Sequence, residues 1–220
     1  IFLEVAEVHT SMTRPVFISL DGLDGTGKST QCRLLADWLR ASGHAVTPCI
    51  DPGGTSLGGQ LRSLVLDHRP DIDRMCEALL FMASRAQLIA EVIRPALEAG
   101  QIVVSDRFLL ANVVYQGHAG GLDVERLWEL GRFAAGGLEP DLTIVLDLPP
   151  EQAARRRGRP ADRIEGRDAD YHARLHRGFL AEAERRRERI RVVDAAAPVE
   201  IVHARITQEV RRVLEQGARA

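Results

Sequence analysis

Val16-Phe17-Ile18-Ser19-Leu20-Asp21-Gly22-Leu23-Asp24-Gly25-Thr26-Gly27-Lys28-Ser29 decides how the rest of the chain is read. Val16 to Leu20 is a short, mostly apolar run of strand type. Gly22 to Ser29 fits GxxxxGK[ST]. Glycines at that spacing let the backbone turn its N–H groups inward around an anion, and the helix that follows points its positive end at the same place. Ser29 to Ala41 has the helical spacing for this, with Leu34, Leu35, Trp38 and Leu39 as its apolar positions and Gly43 as a stop. At this composition, a chance match is on the order of 5 × 10⁻⁴. Gly22, Leu23, Asp24, Gly25, Thr26, Gly27, Lys28, Ser29 and Thr30 are therefore the expected phosphate-binding residues, with Lys28 reaching the β- and γ-phosphates and Ser29 ligating Mg²⁺.

Outward from that loop, strands and helices alternate. Ala45 to Ile50 reads as a second strand, closed by the turn signal Asp51-Pro52-Gly53-Gly54. A short helix is predicted over Leu57 to Leu66, and a long one over Asp71 to Ala99 with Pro95 as a kink. Ile102-Val103-Val104, Leu142 to Leu148 and Ile190 to Val193 are three further strands, with helical patterns between and after them. This alternation predicts an α/β, P-loop NTPase-type three-layer fold: a five-stranded parallel sheet flanked by helices, with a small lid segment at about 155–167. Ligands of such sheets sit at the carboxyl ends of the strands. Residues 1–14 read as an N-terminal tail ahead of a domain over 15–217; the chain begins with Ile, and Met12 falls just before the first strand.

The chain has 220 residues, 45% of them hydrophobic, and a net charge of −2. That balance argues against a dedicated nucleic-acid binder. The longest apolar run, Ala78 to Ala83, is far short of the ~18 residues of a membrane span. Cys32, Cys49 and Cys76 have no CxxC spacing, which argues against a disulfide framework or a zinc site. Glu4 and Glu7 stand where a signal peptide would carry a basic head, so a cytoplasmic location is expected. Of the 29 Lys and Arg residues only Lys28 is a lysine. A GTPase needs a second lysine for its NKxD base-recognition motif, and a motor ATPase more chain, whereas a nucleotide kinase needs several arginines around two phosphate sites.

Six further segments sharpen this. Asp51-Pro52-Gly53-Gly54-Thr55 is similar to an EPGGT loop, Leu80 to Gln87 to an LLFxAxRAQ helix, and Ser105-Asp106-Arg107-Phe108 to a DR[YFH] strand end. Tyr115-Gln116-Gly117, Pro140-Asp141-Leu142 and Asp162-Arg163-Ile164-Glu165 are similar to YQG, PDL and DR[IF]E. With these motifs in order from about Pro15 to Leu214, the chain resembles the thymidylate kinase family.

The resemblance implies Mg²⁺–ATP-dependent phosphorylation of dTMP to dTDP, and a homodimer packed through helices. It implies that Asp24 accepts a hydrogen bond from the acceptor 3′-hydroxyl, although an Asx turn would also explain that residue. Asp106 would hold Mg²⁺ through water and Arg107 bridge the acceptor phosphate and the transferred group, against the plainer reading of a structural ion pair. Arg62 would steady the monophosphate or be a solvated helix charge. Phe81 and Arg85 share a helix face, and the family stacks thymine on that Phe and bonds the base with that Arg; a core Phe is the alternative. Asn112 would add a base contact, Tyr115 crowd the sugar 2′-position, and Gln116 line the pocket.

Arg155, Arg156, Arg157 and Arg159 form the densest basic run. Such runs are usually solvated faces; the resemblance places this one in the lid, with Arg155, Arg156 and Arg159 as the catalytic candidates beside Lys28, Asp106 and Arg107. Gly25 occupies a position from which some family members supply a catalytic arginine, so this chain resembles the lid-arginine bacterial type. Asp51 in place of Glu, Ala111 in place of Ser, the bulky Val113-Val114 and Gly120 in place of Arg all depart from the pattern near the acceptor pocket. They keep open a related kinase with altered acceptor choice, and, from a different class, a non-catalytic nucleotide-binding paralogue.

Overall fold

The computed structural model describes residues 15–67, 71–157, 163–164 and 166–217. The predicted tail and Arg159, Asp162 and Glu165 lie outside them. Five strands form one sheet: β1 (Phe17–Gly22), β2 (Val46–Ile50), β3 (Ile102–Asp106), β4 (Leu142–Asp147) and β5 (Ile190–Asp194), in the order β2-β3-β1-β4-β5. All four pairings are parallel, with Leu20 opposite Asp106 and Gly22 opposite Leu146. From β1 the chain goes to one side for β2 and β3 and to the other for β4 and β5. The crevice at the carboxyl end of β1 is therefore where a ligand of this architecture sits.

Burial follows strand position. β1 and β3 are buried throughout and β4 nearly so, while the edge strands β2 and β5 are only partly covered. Central parallel strands have helices on both faces and need continuous apolar sequence, which Phe17-Ile18 and Ile102-Val103-Val104 supply. Pro48 lacks an N–H and is tolerated in β2 because β2 is an edge.

The helices are α1 (Lys28–Ala41), α2 (Ser56–Leu66), α3 (Arg74–Leu88), α4 (Arg94–Glu98), α5 (Leu109–Asn112), α6 (Val124–Ala134), α7 (Pro150–Arg156), α8 (Ala169–Arg185) and α9 (Val199–Gly217). α1 buries Cys32, Leu35, Ala36 and Leu39, the three-and-four spacing of one face. α9 buries Val202, Ile206 and Val210 in the same way and packs on α1. Asp73 accepts from the backbone N–H of Met75 and Cys76, so α3 starts at Arg74 rather than at Asp71.

The long helix expected to kink at Pro95 instead widens into a π-helical turn at Ile89–Ile93 and re-enters α-geometry at Arg94-Pro95. Proline has no N–H for the carbonyl four residues back, and its ring crowds that carbonyl; the wider turn accommodates both. A second π-helical segment, Val113–His118, follows α5 and carries Tyr115 and Gln116.

Candidate active site

β1 ends in the glycine loop, and the backbone there is one that side chains resist. Gly25 has φ +91°, and a Cβ on it would lie 2.1 Å from the carbonyl oxygen of Ala153 in α7. A side chain at this position would have to displace α7. Thr26 Oγ1 donates to the Leu23 carbonyl at 2.9 Å and ties the loop across itself. Lys28 is buried and donates from Nζ to the same carbonyl at 2.8 Å, with Asp24 Oδ1 3.7 Å away. Burial and the nearby Arg107 lower the Lys28 pKa, while Asp24, Asp106 and Asp21 oppose that. The ammonium therefore rests on the carbonyl of its own loop.

Arg107 joins the loop to the neighbouring pocket. It has φ +71°, a left-handed backbone that a non-glycine residue holds only where its surroundings enforce it. Its N–H donates to Leu20 at 2.9 Å, and Ser105 Oγ donates to its carbonyl at 2.6 Å. The guanidinium donates to the Gly22 carbonyl at 2.9 Å, to Asp24 Oδ1 at 2.6 Å and to the Tyr115 hydroxyl at 3.0 Å. Tyr115 in turn donates to Asp24 Oδ2 at 2.9 Å. Burial works to raise the Asp24 pKa, but Arg107, Lys28 and the tyrosine outweigh it and hold the carboxyl well below its usual range. Asp21, one strand position ahead of the loop, is wholly buried with both carboxylate oxygens unpartnered. Burial pushes its pKa up to about 7 against the pull of Arg107 and Lys28.

Beyond Arg107 lies a cleft lined by Asp51, Arg62, Phe81, Arg85, Asn112 and Tyr115, among others. Arg85 is 2% exposed, and it donates from Nε to Asp51 Oδ2 at 2.5 Å and from Nη1 to Asn112 Oδ1 at 3.1 Å. Burial raises the Asp51 pKa, opposed by Arg85. Arg62 donates to the Pro52 carbonyl at 2.9 Å and borders both this cleft and the phosphate loop. Phe81 is half-buried: it packs against the core and also lines the cleft.

On the other side of the loop, Arg156 and Arg157 line a second cleft with Gly25, Lys28, Ser29, Asp106 and Arg107. Arg156 is anchored by the carbonyls of Ala195 and Ala196 at 2.7 and 3.2 Å. Arg155 is exposed and is not among the residues lining either cleft.

The thymidylate kinase family profile matches residues 20–206, nearly the whole described domain. The chain belongs to the thymidylate kinase family. It is 49% identical over 185 residues to a thymidylate kinase of Rhodopirellula baltica, covering 84% of this chain and 76% of the relative. To that of Symbiobacterium thermophilum it is 45% identical over 203 residues, covering 91% and 93%. The crystal structure of thymidylate kinase from Ehrlichia chaffeensis superposes with a TM-score of 0.73 at 27% identity, covering 89% of this chain and 98% of that one.

Asp24, Gly25, Gly27, Lys28, Ser29, Thr30, Asp106, Arg107, Arg62, Phe81, Arg85, Asn112, Tyr115 and Gln116 line two adjoining clefts, while Gly22, Leu23 and Thr26 line neither. Arg157 was absent from the expected catalytic set, yet it lines the phosphate cleft. A lobe over the loop formed by Ala195, Ala196, Ala197, Pro198 and Val199 was also missed, because five small apolar residues carry no motif. A divalent cation fits the residues present: Ser29 Oγ donates to Asp106 Oδ2 at 2.5 Å, bringing a hydroxyl and a carboxylate oxygen together at the loop, and Mg²⁺ takes few protein oxygens beside phosphate.

Two departures from the family pattern have a physical account. A Cβ at Gly120 would fall 2.4 Å from the Gln116 carbonyl oxygen, so the tight turn leaving the second π-helical segment admits only glycine. Asp51 reaches Arg85 despite its shorter side chain. Among the described residues, no helix is long and apolar enough to cross a membrane.

Proposed function

We propose that this thymidylate kinase acts as a lid-arginine enzyme with ATP as donor, dTMP as acceptor and Mg²⁺ as cofactor. The chain is a dTMP kinase: it transfers the γ-phosphoryl group of ATP to dTMP and so supplies dTDP for dTTP synthesis. The observation that carries this assignment of roles is the Asp24–Arg107–Tyr115 triad, which belongs at once to the phosphate loop and to the acceptor cleft.

The donor triphosphate lies in the glycine loop, with its nucleoside end toward Ala195–Val199 and Arg156. Lys28 leaves the Leu23 carbonyl for the β- and γ-phosphates. The acceptor base lies between Phe81 and Arg85, with Asn112 and Gln116 beside it. Asp24, held ionised by Arg107 and Tyr115, accepts from the sugar 3′-hydroxyl. Tyr115 closes off the 2′-position. Arg107 and Arg62 border both clefts and bridge the acceptor phosphate to the incoming group. Arg156 and Arg157, with Arg159 of the same run as a further candidate, cover the charge that spreads over the transferred phosphoryl oxygens, whereas Arg155 faces solvent. Mg²⁺ held by Ser29 and Asp106 would neutralise donor charge and orient the β- and γ-phosphates. No covalent intermediate is needed, since alignment and charge stabilisation suffice for in-line transfer.

The enzyme is cytoplasmic and works as a homodimer. Exposed Leu57 and Leu64 on α2 and Met75 and Leu79 on α3, two helices that pack together, support the second copy. ADP release with dTMP, dUMP, dCMP and dGMP, with and without Mg²⁺, tests the reading. Turnover is expected with dTMP and Mg²⁺; release with another acceptor alone would overturn it.

A further inference from the structure

Glu77 is a carboxylate 1% exposed that phosphoryl transfer does not use. It stands on α3 one turn before Phe81, and its two oxygens face different parts of the molecule. Oε1 accepts from Gln116 Nε2 at 2.9 Å. Oε2 accepts from Arg163 and, at 3.1 Å, from Arg167, whose Nη2 also reaches Oε1 more loosely at 3.4 Å. A carboxylate held by two guanidiniums only accepts, so Gln116 must present its amino group to Glu77 and turn its oxygen away. That oxygen accepts from Asn112 Nδ2 at 2.7 Å, which leaves the oxygen of Asn112 at the far end, where Arg85 Nη1 donates at 3.1 Å. Reversing either amide would set amino group against amino group or oxygen against oxygen. The direction of the chain is thus fixed from both ends, by the acceptor-only carboxylate of Glu77 and the donor-only guanidinium of Arg85, and it presents an acceptor oxygen in the cleft.

We propose that Glu77 is a specificity-determining residue: through Gln116 it orients the Asn112 amide with its oxygen toward the acceptor base, so that the cleft selects bases with a protonated ring nitrogen beside a carbonyl. This rests on the assignment of that cleft to the acceptor base. Thymine and uracil offer that pattern. Their ring N–H meets the second lone pair of Asn112 Oδ1, and their carbonyl meets Arg85. Cytosine offers the reverse, a bare ring nitrogen beside an amino group. It would set acceptor against acceptor and donor against donor, and such unmatched buried groups are what discriminate between ligands.

Glu77→Gln breaks the relay. The arginines draw the new amide oxygen and its amino group turns to Gln116, so either Gln116 and Asn112 reverse against Arg85 or the link between them is lost, and in both cases Glu77 no longer fixes the Asn112 oxygen. Adding Gln116→Glu restores the direction, because a carboxylate at 116 accepts from both neighbours and leaves Asn112 as it was. The experiment is kcat/KM for dTMP, dUMP and dCMP in the wild-type enzyme, Glu77→Gln and Glu77→Gln/Gln116→Glu, with Tm measured for each. In the single variant the preference for dTMP and dUMP over dCMP is expected to fall about tenfold or more, the scale of one unmatched hydrogen bond. The double variant is expected to recover it.

An equal loss with all three acceptors would overturn the proposal and reduce Glu77 to an ion-pair partner, as would a double variant whose selectivity stays low. If the single variant does not fold, the double variant decides by itself: wild-type selectivity upholds the relay, and lost selectivity refutes it. A wild-type enzyme with no preference for dTMP over dCMP would instead overturn the assignment of the cleft to the base.

Discussion

The phosphate loop and the acceptor cleft adjoin at Arg107, yet they are built in opposite ways. The loop is local: Thr26 and Lys28 both donate to the carbonyl of Leu23, within five residues of themselves. Its recognition groups are backbone N–H and one ammonium. The acceptor cleft is assembled at long range from side chains, Arg85 with Asp51 across 34 residues, Gln116 with Glu77 across 39 and Arg163 with Glu77 across 86. A local, backbone-based site keeps its shape when one side chain is lost. A buried network of side chains is part of the core, so losing one member costs stability as well as function.

Arg85→Met tests that difference most severely. It leaves Asp51, already with one orphaned oxygen, as an uncompensated buried carboxylate. Removing one partner of such a pair costs about 3–5 kcal/mol, so a large fall in denaturant midpoint should accompany the loss of dTMP affinity. Lys28→Ala is the contrasting case. A rate loss of about 10²–10³ in kcat is expected, as for removal of one transition-state donor. Its Tm should be unchanged or higher, because the buried ammonium is already disfavoured by burial. A Tm drop matching that of Arg85→Met would erase the distinction.

Gly25→Ala puts a methyl into the Ala153 carbonyl at a left-handed backbone position. About 1–3 kcal/mol of destabilisation is expected, together with a raised KM for ATP and little change in KM for dTMP. An equal rise in both would show that the two clefts are not separable.

The smallest effect concerns pH. The folded pKa of Asp21, about 7, lies above its ordinary 3.8, so the folded state binds the extra proton. Its contribution to stability is complete below about pH 3.8 and is lost as pH rises through 7. Asp21→Asn should therefore raise the Tm of the nucleotide-free enzyme more at pH 8 than at pH 5, by about 2–4 °C. A gain confined to pH 5 would contradict this sign.

The arginine run 155–157 takes its orientation from tertiary contacts. Arg155 and Arg156 are neighbours on α7 and point about 100° apart, and Arg157 leaves the helix in an extended conformation, so the three do not share one face. Their identity was visible, but which of them points inward depends on how α7 sits against Gly25 and Ala195. The structure turns Arg156 and Arg157 to the phosphate cleft and Arg155 to solvent. Glu77 gave no signal either, since an acidic residue near the start of a helix reads as a solvated favourable charge. Only the approach of the second π-helical segment and of Arg163 makes it an internal anchor.

Local chemistry, then, was fixed by sequence alone. The strand–loop–helix around Gly22–Ser29, the alternation that yields a parallel sheet and the single lysine in the glycine loop all depend on neighbours within a few residues. Tertiary structure alone decided the direction of the Arg85–Asn112–Gln116–Glu77 relay, the wide helical turns that aim Tyr115 and Gln116, and the choice among the arginines. Each of these is set by hydrogen bonds between segments far apart in the chain, and a buried polar group takes its role from the partner the fold brings to it.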